Sequence, residues 1–160
     1  MAAFTLFHVA LSLIGIVSGF VVLFGLLSAK RLDGWTALFL ATTVLTSVTG
    51  FLFPFHGITP GIVVGCISMV LLAIAILARY ALHLAGPWRP IYVVTAMLAE
   101  YLNVFVLVAQ AFDKVPALKA LDPTKSGPPF KATQGVVLVL FVVLIVAAVV
   151  KFRPEAPRAA

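Results

Sequence analysis

The sequence has very little charge for its length. Only 10% of its 160 residues are Asp, Glu, Lys or Arg, whereas a soluble domain averages about 25%. Hydrophobic residues make up 63% of the chain, and the mean hydropathy is +1.21. A chain this apolar has too little polar surface to cover an exterior in water, so lipid must be its solvent. The composition excludes a soluble globular domain and indicates an integral membrane protein.

Cysteine and the common catalytic motifs are also scarce. The single cysteine, Cys66, lies inside an apolar stretch, so neither an intrachain disulfide nor a CxxC motif is possible. P-loop, nucleophile-elbow, HExxH and Rossmann glycine patterns do not occur, and nothing recommends an enzyme. The net charge of +6 comes from basic residues that are scattered among the predicted loops. This distribution fits membrane topology and argues against nucleic acid as a partner.

Five apolar stretches can cross a bilayer, which takes roughly 20 apolar residues each. Short links between most of them make sequence neighbours antiparallel neighbours in space. We therefore predict an all-α fold, an antiparallel bundle of five transmembrane helices forming one domain over residues 1–160. A four-helix bundle with a peripheral last segment is the alternative. The predicted helices are approximately 3–28, 36–53, 61–84, 91–112 and 136–150, and an external loop spans 113–135, in which 117–121 can form one interfacial helical turn.

The basic residues predict an orientation. One side of the predicted bundle holds most of the basic residues, namely Lys30, Arg31, Arg79, Arg89 and those of the C-terminus. The side with the N-terminus holds four lysines. Positive residues collect on the cytoplasmic side, so the N-terminus is expected outside and the C-terminus in the cytoplasm. We place the protein in a bacterial-type plasma (inner) membrane. Arg79 and His83 are expected to reach the lipid headgroups, where a role as topology anchors is favoured over a contact with anionic lipid.

Two glycine pairs predict close helix packing. Gly15 and Gly19 form a GxxxG pair in the first helix, and Gly61 and Gly65 form another in the third. Small residues four apart let helix backbones approach closely in lipid, where no hydrophobic force drives helices together. A chain of five helices has many internal faces to fill, so packing within the chain is favoured over a homo-oligomer interface.

Glu100 is the only acidic residue inside a predicted transmembrane helix. A carboxylate near the bilayer centre is costly, so such a group is usually neutral, paired or facing water inside the protein. Asn103 and Gln110 follow at helical spacing and share its face. The second helix carries an unusual density of hydroxyl groups, and we expect its hydroxyl face to pack against the Glu100 face. The hydroxyl residues on that face are Thr42, Thr46 and Thr49.

Two interpretations of these polar residues remain open. They could form a proton- or solute-binding path from the outer face to the midplane, which predicts a small transport or ion-translocating protein using Glu100. They could instead be interhelical hydrogen bonds, worth ~0.6 kcal/mol each on average. In that case the chain would be a non-catalytic membrane subunit or assembly factor of a larger complex.

The histidines raise the question of a cofactor. His8 and His56 are predicted on the same side of the membrane, and His83 on the other. A b-type haem needs two axial imidazoles facing each other across a pocket, and His8 and His56 could supply them only if their turn folds inward. Two histidines are too few ligands for a copper or zinc site. No cofactor is predicted, and b-type haem is the alternative that accompanies a redox complex.

Overall fold

The computed structural model describes residues 1–153, and the regular structure of this part of the chain is helical throughout. Five of the helices are long and apolar enough to cross a membrane. The predicted five-helix membrane bundle is therefore confirmed. The elements are α1 (Ala2–Leu27), α2 (Asp33–Phe51), α3 (Pro60–Ile76) with a π-helical turn (Leu77–Ala81), α4 (Trp88–Lys114), the short α5 (Pro116–Leu121) and α6 (Pro128–Lys151).

The first four long helices form a ring. Each of α1, α2 and α3 packs against the next, and α4 packs against both α3 and α1. The last helix, α6, lies against α4 and α1. Because α4 contacts every other long helix, its polar residues can reach several partners.

The two ends of the bundle differ in their connections. We call the end with the N-terminus and residues 52–59 and 115–127 the loop end. The end with residues 28–32, 82–87 and 152–153 is the basic end. Exposed apolar side chains such as Val17, Val70 and Val139 cover the outside of the helices between these ends, as expected of a surface that faces lipid.

The last long helix begins earlier than predicted, at Pro128 rather than at residue 136. Pro128 and Pro129 occupy its first turn, where the missing N–H groups cost no hydrogen bond and the fixed φ suits a helix. The polar residues that follow the prolines lower the hydropathy of this turn, so the hydropathy pattern does not indicate a helix there. The predicted loop over 113–135 is therefore shorter, and it contains α5, which overlaps the helical turn expected at 117–121.

Candidate functional site

Glu100 lies at the centre of the bundle and is completely buried. It projects from α4 towards α1, where Gly19 faces it. A Cβ atom added at Gly19 would overlap the carboxyl group of Glu100. Glycine at position 19 therefore makes the space in which the carboxyl group lies.

The other glycine of the first pair makes a second close approach. A Cβ atom at Gly15 would lie 3.2 Å from Thr43 Oγ1 and 3.3 Å from Thr42 Oγ1. Gly15 thus faces α2 while Gly19 faces α4, so both glycines make contacts within the chain.

The two glycines of the second pair have different surroundings. A Cβ at Gly65 would come within 2.9 Å of Cζ of Phe51, so this residue also packs within the chain. Gly61, in contrast, is exposed at the start of α3 and has only Thr59 Oγ1 nearby.

Few hydrogen bonds satisfy the Glu100 carboxyl group. Asn103 Nδ2 is shared between Glu100 Oε2, at 3.5 Å, and Thr43 Oγ1, at 3.3 Å. Glu100 Oε1 has no hydrogen-bond partner in the described part of the chain, and the ion pairs found there do not include Glu100. A buried carboxylate without a cation is costly, so this environment favours the protonated acid.

The hydroxyl face of α2 is used differently from the expectation. Asn103 donates a hydrogen bond to Thr43, a residue that the sequence prediction does not include. Thr42 Oγ1 donates a 2.7 Å hydrogen bond to the backbone oxygen of Leu38 in its own helix. Thr46 Oγ1 is buried and makes no hydrogen bond within residues 1–153. Helical spacing shows which residues share a face, but only the packed bundle decides which neighbour each face meets.

Gln110 does not continue the polar stripe. Its side chain is exposed, as is that of Leu107 in the turn before it. Gln110 lies ten residues after Glu100, as predicted, but at this spacing the two side chains point in directions about 80° apart around the α4 axis. Gln110 therefore lies outside the interface that buries Glu100. Of the predicted stripe on α4, Glu100 is buried, Asn103 is half-buried, and Gln110 is exposed.

His8 joins the site from the loop end. A 2.8 Å hydrogen bond connects His8 Nδ1 to Thr49 Oγ1, and the imidazole packs edge-on against the Phe53 ring at 5.2 Å between centroids. Polar side chains therefore line the helix interfaces from the loop end to the bundle centre. We call this set the polar row: His8, Thr49, Thr46, Thr43, Asn103 and Glu100.

His56 remains apart from the polar row. It is exposed in the turn between α2 and α3. Residues 1–153 contain no cluster of three or more His, Cys, Asp or Glu side chains that could hold a metal ion. The hydrogen bond to Thr49 and the contact with Phe53 account for His8 as a residue of the α1–α2 interface.

Arg79 corrects the sequence interpretation. It was expected to reach the headgroups, but it is only 2% exposed. Its Nη2 donates a 2.5 Å hydrogen bond to Asp33 Oδ1 and a 3.2 Å hydrogen bond to the carbonyl oxygen of Arg31. Arg79 therefore joins the π-helical turn to the start of α2.

Comparison with known proteins adds no relative. The chain matches no protein-family model, no curated protein and no solved structure.

Proposed function

We propose that this protein is a small proton-coupled transport or ion-translocating membrane protein in which Glu100 is the proton-binding group. The observation that carries the proposal is the burial of Glu100 with one carboxyl oxygen unpartnered among the described residues. Glutamine could make the same hydrogen bond to Asn103 without the risk of ionisation. An ionisable group at this depth is by default a functional candidate.

The polar row supplies the route to this group. His8 lies near the loop end, and Gly19, which faces Glu100, lies roughly 16 Å further along α1 at the helical rise per residue. Between them, the hydroxyl groups of Thr49, Thr46 and Thr43 recur at one-turn spacing on α2. In the proposed mechanism protons pass along this row, bridging its gaps through water, and reach Glu100 from the loop end. By the distribution of positive charge, that end faces the outside.

Proton flux into liposomes tests the proposal. The purified protein is reconstituted with a pH-sensitive dye inside the vesicles, and a potassium diffusion potential drives proton entry. The parent protein should acidify the lumen, and Glu100→Gln should abolish this flux while leaving the fold intact. A protein-dependent flux that Glu100→Gln leaves unchanged would refute the role of Glu100. A parent protein without flux would refute the proposal and favour a non-catalytic subunit of a larger membrane complex.

Two threonine variants form a matched pair for the route. Thr43→Val removes the hydroxyl that accepts from Asn103, so proton flux should fall several-fold. Thr42→Val removes a neighbouring hydroxyl whose hydrogen bonds within residues 1–153 all go to its own helix backbone, so flux should stay close to that of the parent. Equal flux in the two variants would show that the polar row is not the route.

An infrared difference spectrum separates proton binding from proton transport. The spectrum of the parent protein across a pH titration should contain a carbonyl stretching band from a buried protonated carboxyl group. The band should be absent in Glu100→Gln and present in Thr42→Val. A spectrum without such a band in the parent would contradict proton binding at Glu100.

A further inference from the structure

The basic end contains a cluster of arginine side chains around one carboxylate. Asp33 Oδ1 accepts from Arg79 Nη2 at 2.5 Å and lies 3.4 Å from Arg31 Nε. The Arg79 guanidinium also lies 5.2 Å from the centre of the Tyr92 ring. Arg31 is close enough to Arg89 for their positive charges to repel. We call Arg31, Asp33, Arg79, Tyr92 and Arg89 the arginine cluster.

Positive charge exceeds negative charge in this cluster. Arg31 and Arg79 share the single carboxylate of Asp33, which is itself mostly exposed, at 74% of its side-chain surface. Arg89 forms no ion pair within residues 1–153. Buried arginines normally have a paired anion or several hydrogen-bond acceptors. The cluster therefore has the charge to hold a further anion.

Several of its donors also lack acceptors. Arg79 Nη1, Arg89 Nε and the Tyr92 hydroxyl are buried and make no hydrogen bond among residues 1–153. Arg79 and Tyr92 are at most 2% exposed. An unsatisfied buried donor is unusual in a folded protein and calls for an explanation. Arg89 is the half-buried member of this set, so its Nε is the donor that an anion at the surface can reach.

The backbone around the cluster is strained. Four non-glycine residues have a positive φ here: Ala29, Leu32, His83 and Leu84, at 57°, 44°, 50° and 57°. They lie in the two turns that lead into α2 and α4. Arg79 itself lies in the π-helical turn Leu77–Ala81. Strained turns and π-helical turns are both concentrated at functional sites.

We propose that the arginine cluster binds a phosphate-bearing anion. The planar guanidinium group offers paired N–H donors that match phosphate oxygens, and this is the chemistry that arginine provides better than lysine. Arg31, which is exposed, and Arg89, which is half-buried, are the groups that contact the anion. Arg79 is held by Asp33 and supplies charge from behind. The anion is either the headgroup of an acidic phospholipid or a free phosphate compound.

Thermal stability of the purified protein tests this site with defined probes. One arm adds inorganic phosphate to the protein in detergent, with chloride at equal ionic strength as its control. The other arm compares nanodiscs of phosphatidylglycerol with nanodiscs of phosphatidylcholine. Stabilisation by inorganic phosphate would identify a free phosphate compound as the ligand. Stabilisation by phosphatidylglycerol alone would identify a lipid headgroup, and stabilisation by neither probe would overturn the proposal.

Three charge-matched variants make the test specific. Arg31→Gln and Arg89→Gln should each weaken the effective probe by about tenfold or more, because a charge-assisted hydrogen bond is lost. Lys151→Gln removes the same charge from an exposed side chain at the basic end, and it should bind as the parent does. If Lys151→Gln lost as much affinity as both arginine variants, only general surface charge would be at work and the proposal would fail.

Discussion

At the scale of the residue, Glu100 and Gly19 form one unit. The carboxyl group occupies the volume that a side chain at position 19 would need. A buried carboxyl group in this bundle therefore requires glycine on the facing helix. This contact explains the glycine at position 19, whereas Gly15 meets Thr42 and Thr43 on α2.

Gly19→Ala should destabilise the protein by about 1–3 kcal/mol, as expected for overpacking a tight interior. The added methyl group overlaps the carboxyl group and forces Glu100 or α1 to move. Reversible unfolding in mixed detergent micelles measures the free energy of unfolding. Gly15→Ala is the control, because its added Cβ meets hydroxyl oxygens at 3.2 Å and 3.3 Å, a tight but non-overlapping contact.

A double-mutant cycle shows whether Glu100 is the cause. In a Glu100→Ala background the added methyl group has room, so Gly19→Ala should lose most of its cost. An equal cost in both backgrounds would mean that the methyl group clashes with something else.

At the scale of the element, Asp122 fixes the start of α6. Its side chain is buried, and its carboxylate accepts from the backbone N–H groups of Ser126, Gly127 and Phe130. Pro128 and Pro129 have no N–H, so Phe130 supplies the first donor within the helix. Gln134 Nε2 then connects α6 to α4 by donating a 3.0 Å hydrogen bond to the backbone oxygen of Phe105.

Asp122→Ala should cost about 0.5–2 kcal/mol, the range for losing a helix-capping side chain. The loss should be local, with faster amide hydrogen exchange over residues 126–130. Asp113→Asn is the comparison, because it removes only the partly exposed ion pair with Lys125, which is worth about 0–1 kcal/mol. Unchanged exchange in Asp122→Ala would show that the proline pair alone defines the start of α6.

At the scale of the whole molecule, the bundle has two chemically different ends. The basic end carries the arginine cluster, and the loop end opens onto the polar row through His8. This polarity matters for function only if the two ends face defined sides of the membrane. From the positive-inside rule we predict that the basic end faces the cytoplasm.

Cysteine labelling checks this orientation. In a Cys66→Ser background, Lys125→Cys at the loop end should react with a membrane-impermeant maleimide added outside intact cells. Arg153→Cys at the basic end should react only after the cells are permeabilised. Labelling of Arg153→Cys alone from outside would invert the orientation, and labelling of both from one side would contradict a five-span topology.

Much of the fold could be predicted because its signals are local. Long apolar stretches determine the number of spans, and short turns determine that neighbours run antiparallel. The start of α6 was missed because Lys131, Thr133 and Gln134 lower the hydropathy of its first turns. The start of α6 depends on the cap from Asp122 and on a contact with α4. Neither interaction affects the mean hydropathy of a stretch of sequence, so hydropathy cannot predict it.

The candidate site was only partly predictable for a related reason. Glu100 and Asn103 were identified because an ionisable group in an apolar stretch is conspicuous by itself. Gln110 was included and Thr43 omitted because helical spacing gives the angle between residues without giving the direction of the neighbouring helix. His8 was considered as a ligand, whereas its hydrogen bond to Thr49 depends on how α1 and α2 align.

The sequence by itself determined that this protein resides in a membrane, that it has five spans, and that Glu100 lies within one of them. These properties follow from composition and length, because the transfer of each helix into lipid depends mainly on its own residues. Only the tertiary structure decided that Glu100 faces Gly19, that Asn103 meets Thr43, and that Arg79 pairs with Asp33. Such contacts depend on the rotation and depth at which helices pack, and in lipid small residues and a few hydrogen bonds set both.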